Sequence, residues 1–85
     1  MEPSRAQRQT YEPRQVLVSF KDGVEKQVVE SIQRALSLKT IRVVRRPNLF
    51  LMKIMDESSV EAVIERLRGF PDVAYAEPNY RLTVR

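Results

Sequence analysis

The chain has 85 residues, enough for one domain around one core and no more. It contains neither cysteine nor histidine, which excludes disulfides and thiolate metal sites and leaves carboxylates, lysines and hydroxyls as the only candidate bases and nucleophiles. Fifteen basic against eleven acidic residues give a net charge of +4, too mild an excess to point to nucleic acid by itself.

Residues 1–10 hold Pro, Ser, Gln and Arg with almost nothing to bury, the composition of a flexible segment that extends through about residue 14. Residues 15–21 alternate, with Val16, Val18 and Phe20 on one side and Leu17 and Ser19 on the other, and read as a first strand. Asp22-Gly23 ends it, and Asp22 with Glu25 has the spacing of a capping box. Val24, Val28, Val29, Ile32, Ala35 and Leu36 then recur at helical spacing, opposite Glu25, Lys26, Glu30 and Arg34, which predicts a helix to about Ser37.

Residues 40–45 read as a second strand with Ile41 and Val43 inward, and Arg45-Arg46-Pro47-Asn48 as a turn. Residues 49–55 read as a third strand, apolar on both sides: Leu49, Leu51 and Met55 on one, Phe50, Met52 and Ile54 on the other. Either side can meet the helices; the pattern does not decide. Ser58 and Glu61 repeat the capping-box spacing before the apolar stripe Val60, Val63, Ile64 and Leu67. Arg66 and Arg68 suit a helix C-terminus, Gly69 a left-handed stop, and Pro71 blocks continuation. In the last strand Val73 and Tyr75 alternate with Ala74 and Ala76 until Pro78 removes a backbone donor. Beyond Pro78 the chain is expected to leave the sheet as an extended arm.

Strand, helix, strand, strand, helix, strand is the order of an α+β, ferredoxin-like split βαβ sandwich (βαββαβ): a four-stranded antiparallel sheet with two helices on one face. Right-handed crossovers put the first and third strands in the centre and the fourth beside the first. The expected organisation is a flexible segment over residues 1–14, a folded domain over 15–80 and an arm over 81–85. Since helices cover only one face, the other is bare, and it is expected to collect one side of the third strand together with Ala74 and Ala76. A contiguous apolar patch of that kind marks a docking surface; the alternative is the scatter of exposed apolar groups common on small proteins. RNA recognition fits poorly, because Asn48-Leu49-Phe50-Leu51-Met52-Lys53-Ile54 offers one aromatic and no glycine. An enzyme fits worse: no carboxylate pair, glycine-rich phosphate loop or metal-ligand spacing stands out, and no cofactor or metal is expected. No apolar run approaches the roughly 20 residues that span a bilayer.

Val73-Ala74-Tyr75-Ala76-Glu77-Pro78-Asn79-Tyr80 resembles the closing motif of the prodomains of subtilisin-like serine proteases, and Val18-Ser19-Phe20-Lys21-Asp22-Gly23 resembles their opening strand and turn. The likeness in length and element order covers residues 15–80, and the Glu-Pro-Asn-Tyr run is its most specific part. It implies the fold read above and an intramolecular chaperone that stays bound as an inhibitor, monomeric when free, with a subtilisin-like protease domain as partner and no catalytic residue of its own. It also implies a secreted precursor whose export signal lies outside this chain. By the same resemblance Ala74, Ala76, Glu77 and Asn79 face the protease. Glu77 stands where an acidic side chain caps an enzyme helix, and Asn79 where other members carry Asp. Tyr80, Arg81, Leu82, Thr83, Val84 and Arg85 form the arm in the substrate cleft, with Arg85 in the primary specificity pocket if it is the processing point. The segment before Tyr11 matches nothing in that pattern, and the bulky Leu49 to Met52 stretch departs from the smaller residues common there. The alternative is a stand-alone inhibitor or protein-interaction module of the same fold; nucleic-acid binding stands a distant third.

Overall fold

The computed structural model describes residues 11–45 and 48–80. Six elements succeed one another: β1 (Gln15–Phe20), α1 (Lys26–Leu36), β2 (Leu38–Arg45), β3 (Leu49–Ile54), α2 (Val60–Arg68) and β4 (Val73–Pro78). The strands form one antiparallel sheet in the order β2-β3-β1-β4, so each strand-helix-strand unit steps over one neighbour. This is the ferredoxin-like arrangement the element order predicts.

The register settles which side of β3 meets the helices. Val16 pairs with Met52 and Val18 with Phe50, so Phe50, Met52 and Ile54 join Val16, Val18 and Phe20 on the inner face. Against them pack Val29, Ile32 and Leu36 of α1 and Val60, Val63, Ile64 and Leu67 of α2. The Phe20 and Phe50 rings meet edge to face, with centroids 5.6 Å apart.

Two of the strands break their period, and this corrects two expectations. In β2 the register shifts twice, between Thr40 and Arg42 and between Val43 and Arg45. Each bulge adds a residue to one side of the ladder and spoils strict alternation. Ile41 falls in the first bulge and is 44% exposed; Val43 shares the face of Phe50 but lies on the sheet's outermost strand and is 46% exposed. Neither is buried in the core. In β4 the shift puts Val73 opposite Phe20 and Tyr75 opposite Ser19, leaving Ala74 as the extra residue. Val73 and Ala76, three apart, therefore both face inward.

The helix ends also differ from the spacing-based reading. Gly23 takes φ +83° and turns the chain, so α1 starts only after an extended Glu25 that makes no side-chain cap bond. Asp22 instead accepts from the Asn48 amide at 2.9 Å, holding the β1–α1 connection to the start of β3. At α2 the cap is Ser59, which accepts from Ala62 N–H at 3.0 Å, while the Ser58 N–H is taken by Asp56. Gly69 is right-handed (φ −80°), and α2 ends in tight turns closed by Gly69 N–H to Arg66 and Phe70 N–H to Leu67. The left-handed position is Ser37, after α1.

Leu67 has no exposed surface and anchors α2 on the sheet. Leu67→Ala is expected to cost about 2–5 kcal/mol by removing buried methyl groups and leaving a cavity. Urea denaturation measures this directly, and a cost under about 1 kcal/mol would contradict the packing.

Candidate functional site

Directly opposite residues share a face, so the register writes out the bare side of the sheet row by row. The first row is Lys39, Lys53 and Gln15; the second is Arg42, Leu51, Leu17 and Glu77; the third is Arg45, Leu49, Ser19 and Tyr75. Leu17, Leu49 and Leu51 occupy the two central strands, and Tyr75, 48% exposed, extends the apolar band onto β4. Leu51 is only 5% exposed, lying between Leu17 and Arg42 across the ladder.

Cations line one side of this band. Lys39, Arg42 and Arg45 run down the edge strand β2, and Lys53 stands directly opposite Lys39. Like charges facing each other across a sheet are unfavourable. Among the described residues none of the four has an ion-pair partner. The only carboxylate in these three rows of the sheet is Glu77, on the far edge, opposite Leu17.

The sequence-derived site residues separate on this geometry. Ala74 is exposed at the β4 bulge, and Glu77 is half-buried on the bare face. Ala76 is 3% exposed and belongs to the inner core, because the bulge reverses the alternation that would have turned it outward. Asn79 is 2% exposed; its amide donates to Gln15 Oε1 at 2.9 Å and its carbonyl accepts from Glu12 N–H at 2.9 Å. It is an internal pin. Tyr80 is well exposed, with its ring edge on Tyr11 at 6.0 Å. Arg81, Leu82, Thr83, Val84 and Arg85 lie outside the described residues.

Tyr11 is the participant that sequence reasoning missed. Its hydroxyl donates to the Glu61 carboxylate in the first turn of α2, fifty positions away. That bond, helped by slight desolvation and the nearby negative charge, raises the Tyr11 pKa above its ordinary 10.0. The same bond, with a backbone N–H, holds Glu61 below 4.5. Asp56 is held below 3.8, chiefly by the Ser58 N–H.

On the helix side, a cleft of about 290 Å³ opens where Val24, Val29 and Gln33 of the α1 region stand over Phe20, Thr40 and Phe50. The Gln33 amide is satisfied by Thr40 Oγ1 at 2.7 Å. Lys26 and Glu30 also line the cleft, and no cluster of three potential metal ligands occurs among the described residues.

The sequence matches the family of the fervidolysin N-terminal prodomain over residues 2–79. The chain belongs to that family. It is thus a prodomain of the subtilisin-like protease type, a propeptide region and not a catalytic domain, as the closing and opening motifs suggested. Membership implies association with a subtilisin-like protease domain. The match takes in Tyr11 and the segment before it, which the motif comparison alone had left out. A comparison with curated proteins returns no match. Among the described residues no helix is long and apolar enough to cross a membrane.

The pKa directions of this prodomain give its stability a defined pH response. Asp56 and Glu61 titrate below their ordinary 3.8 and 4.5, so their contribution is complete above those values and is lost as pH falls through the lowered ones. Tyr11 titrates above 10.0, so its contribution is complete below that and is lost as pH rises through the raised value. Melting temperatures recorded across pH should show a shallower acid limb for Glu61→Gln and a shallower alkaline limb for Tyr11→Phe. Limbs identical to those of the parent protein would show that the pair contributes nothing.

Proposed function

We propose that this domain is the propeptide of a secreted subtilisin-like serine protease, acting as its intramolecular chaperone and then as a product-like inhibitor. The observation that carries the reading is the bare face: a leucine band on the central strands, bounded by Tyr75 and Glu77 on β4. Family membership supplies the partner class.

The chaperone role follows from where the apolar groups lie. Leu17, Leu49 and Tyr75 remain partly open to water around the already covered Leu51, and covering them with protease helices removes them from water at roughly 25 cal/mol per Å² of apolar surface. A rigid, preformed sheet can thereby order helices that have not yet docked in the protease. Glu77 lies at the rim of the band; in this reading its carboxylate accepts from the free N–H groups at an enzyme helix N-terminus, where a negative charge is favoured.

Size explains why the face alone is not enough. Four strands about 4.8 Å apart and about six residues long make a surface near 20 Å square, or roughly 400 Å² in projection. Stable complexes draw about 800 Å² from each partner. The arm has to provide much of the remainder by lying in the cleft as an added strand. An arm held in the manner of a reaction product inhibits without being turned over.

Titrating a subtilisin-type enzyme with the intact chain and following progress curves tests the proposal. Removing residues 80–85 should weaken inhibition by orders of magnitude while the circular dichroism of the domain is retained; unchanged inhibition would reject the product-like pose. Glu77→Ala should weaken binding by about 0.5–2 kcal/mol, the usual range for a lost helix cap. A loss near zero would remove Glu77 from the interface.

A further inference from the structure

The chain just before β1 is tied to the chain just after β4. Arg14 adopts a left-handed conformation (φ 65°), and its carbonyl accepts from Ile54 N–H at 2.8 Å, fixing the turn that leads into β1. On one side of that turn, Glu12 N–H donates to the Asn79 carbonyl; on the other, the Gln15 side chain accepts from the Asn79 amide. One residue further out, the Tyr80 ring meets Tyr11 at an interplanar angle of 79°, and Tyr11 is in turn bonded to Glu61 on α2. Asn79 and Tyr80 are thus held from both sides of the turn, and the hold is braced against a helix.

We propose that residues 11–15 form a strap that sets the direction in which the chain leaves the sheet after Pro78, with Tyr11 as the positioning residue for the cleft-binding arm. The inference rests on the inhibitor reading above and adds to it a device outside the bare face. Tyr11 lies before β1 and is not part of the rows that make up the bare face. It reaches Tyr80 by its ring and Glu61 by its hydroxyl, and it also packs against the edge of the hydrophobic core, which is why the urea midpoint is read beside the inhibition constant.

The physical gain is pre-organisation. A residue whose backbone is already fixed does not have to be ordered when the arm docks, and the affinity otherwise lost to that ordering is kept. The strap also explains a feature the core does not need. Asn79 lies beyond the last strand, yet it is more buried than most residues within that strand, because Gln15 and Glu12 close over it.

The test uses the full chain and subtilisin as the probe enzyme, with Tyr11→Ala and Tyr11→Phe. Three quantities are read: the inhibition constant, the urea midpoint of the free domain, and the NMR order parameter of the Tyr80 amide. With Tyr11→Ala, inhibition should weaken about ten- to a hundredfold, the equivalent of one or two residues left to be ordered on binding. The Tyr80 order parameter should fall to below about 0.6 while core amides stay near 0.85. Tyr11→Phe keeps the ring contact, so it should recover most of the inhibition. Unchanged inhibition, or a loss with Tyr80 as ordered as before, overturns the strap and leaves the inhibitor reading standing. If the parent chain itself fails to inhibit, that reading falls and the strap falls with it.

Discussion

A four-stranded sheet built from two right-handed crossovers receives both its helices on the same side. Everything else in this domain depends on that asymmetry. The inner face takes Val16, Val18, Phe20, Phe50, Met52, Ile54 and Ala76 and closes with the two amphipathic helices into one core. The outer face has no second layer among the described residues, yet its central strands still carry Leu17, Leu49 and Leu51. An antiparallel sheet with a solvated face ordinarily puts polar groups there. Of these, Leu51 is already covered by its neighbours, while Leu17 and Leu49 stay partly exposed.

The face also has a direction. Its cations stand on β2 and at the Lys53 end of β3, its carboxylate stands on β4, and the apolar band lies between them. Such an arrangement favours one orientation of an incoming surface over the reverse, because a misaligned approach sets like charges together. Lys39 opposite Lys53 is mildly unfavourable in the free domain, and an anionic group arriving from outside would relieve it.

Much of this was legible in the chain, because it rests on long periodic patterns. The 3.6-residue stripes of both helices and the alternation of β1 are unambiguous, and with the order of elements they fix the topology. What sequence could not supply is set by single-residue events. β3 is apolar on both sides, and only its pairing with Val16 and Val18 decides which side is inner. Ala76 reads as outward until one knows that Ala74 is an extra residue, and Ile41 reads as inward until one knows that β2 bulges there. Ser58 and Ser59 are equally good caps; Asp56 decides between them by taking the Ser58 N–H. Asp22 has the capping-box spacing, but Asn48 claims it. The Tyr11–Glu61 bond joins residues that share no local pattern, so nothing short of the fold could reveal it.

The two rims of the sheet carry a consequence of their own. β2 is kinked by two bulges and studded with Lys39, Arg42 and Arg45, while β4 is interrupted at Ala74 and terminated by Pro78. Bulges, cations and proline are the features that stop one sheet from growing into the next. A sticky front would normally be a hazard at the high local concentrations of a newly made chain. Here neighbouring copies find no straight border to zip onto.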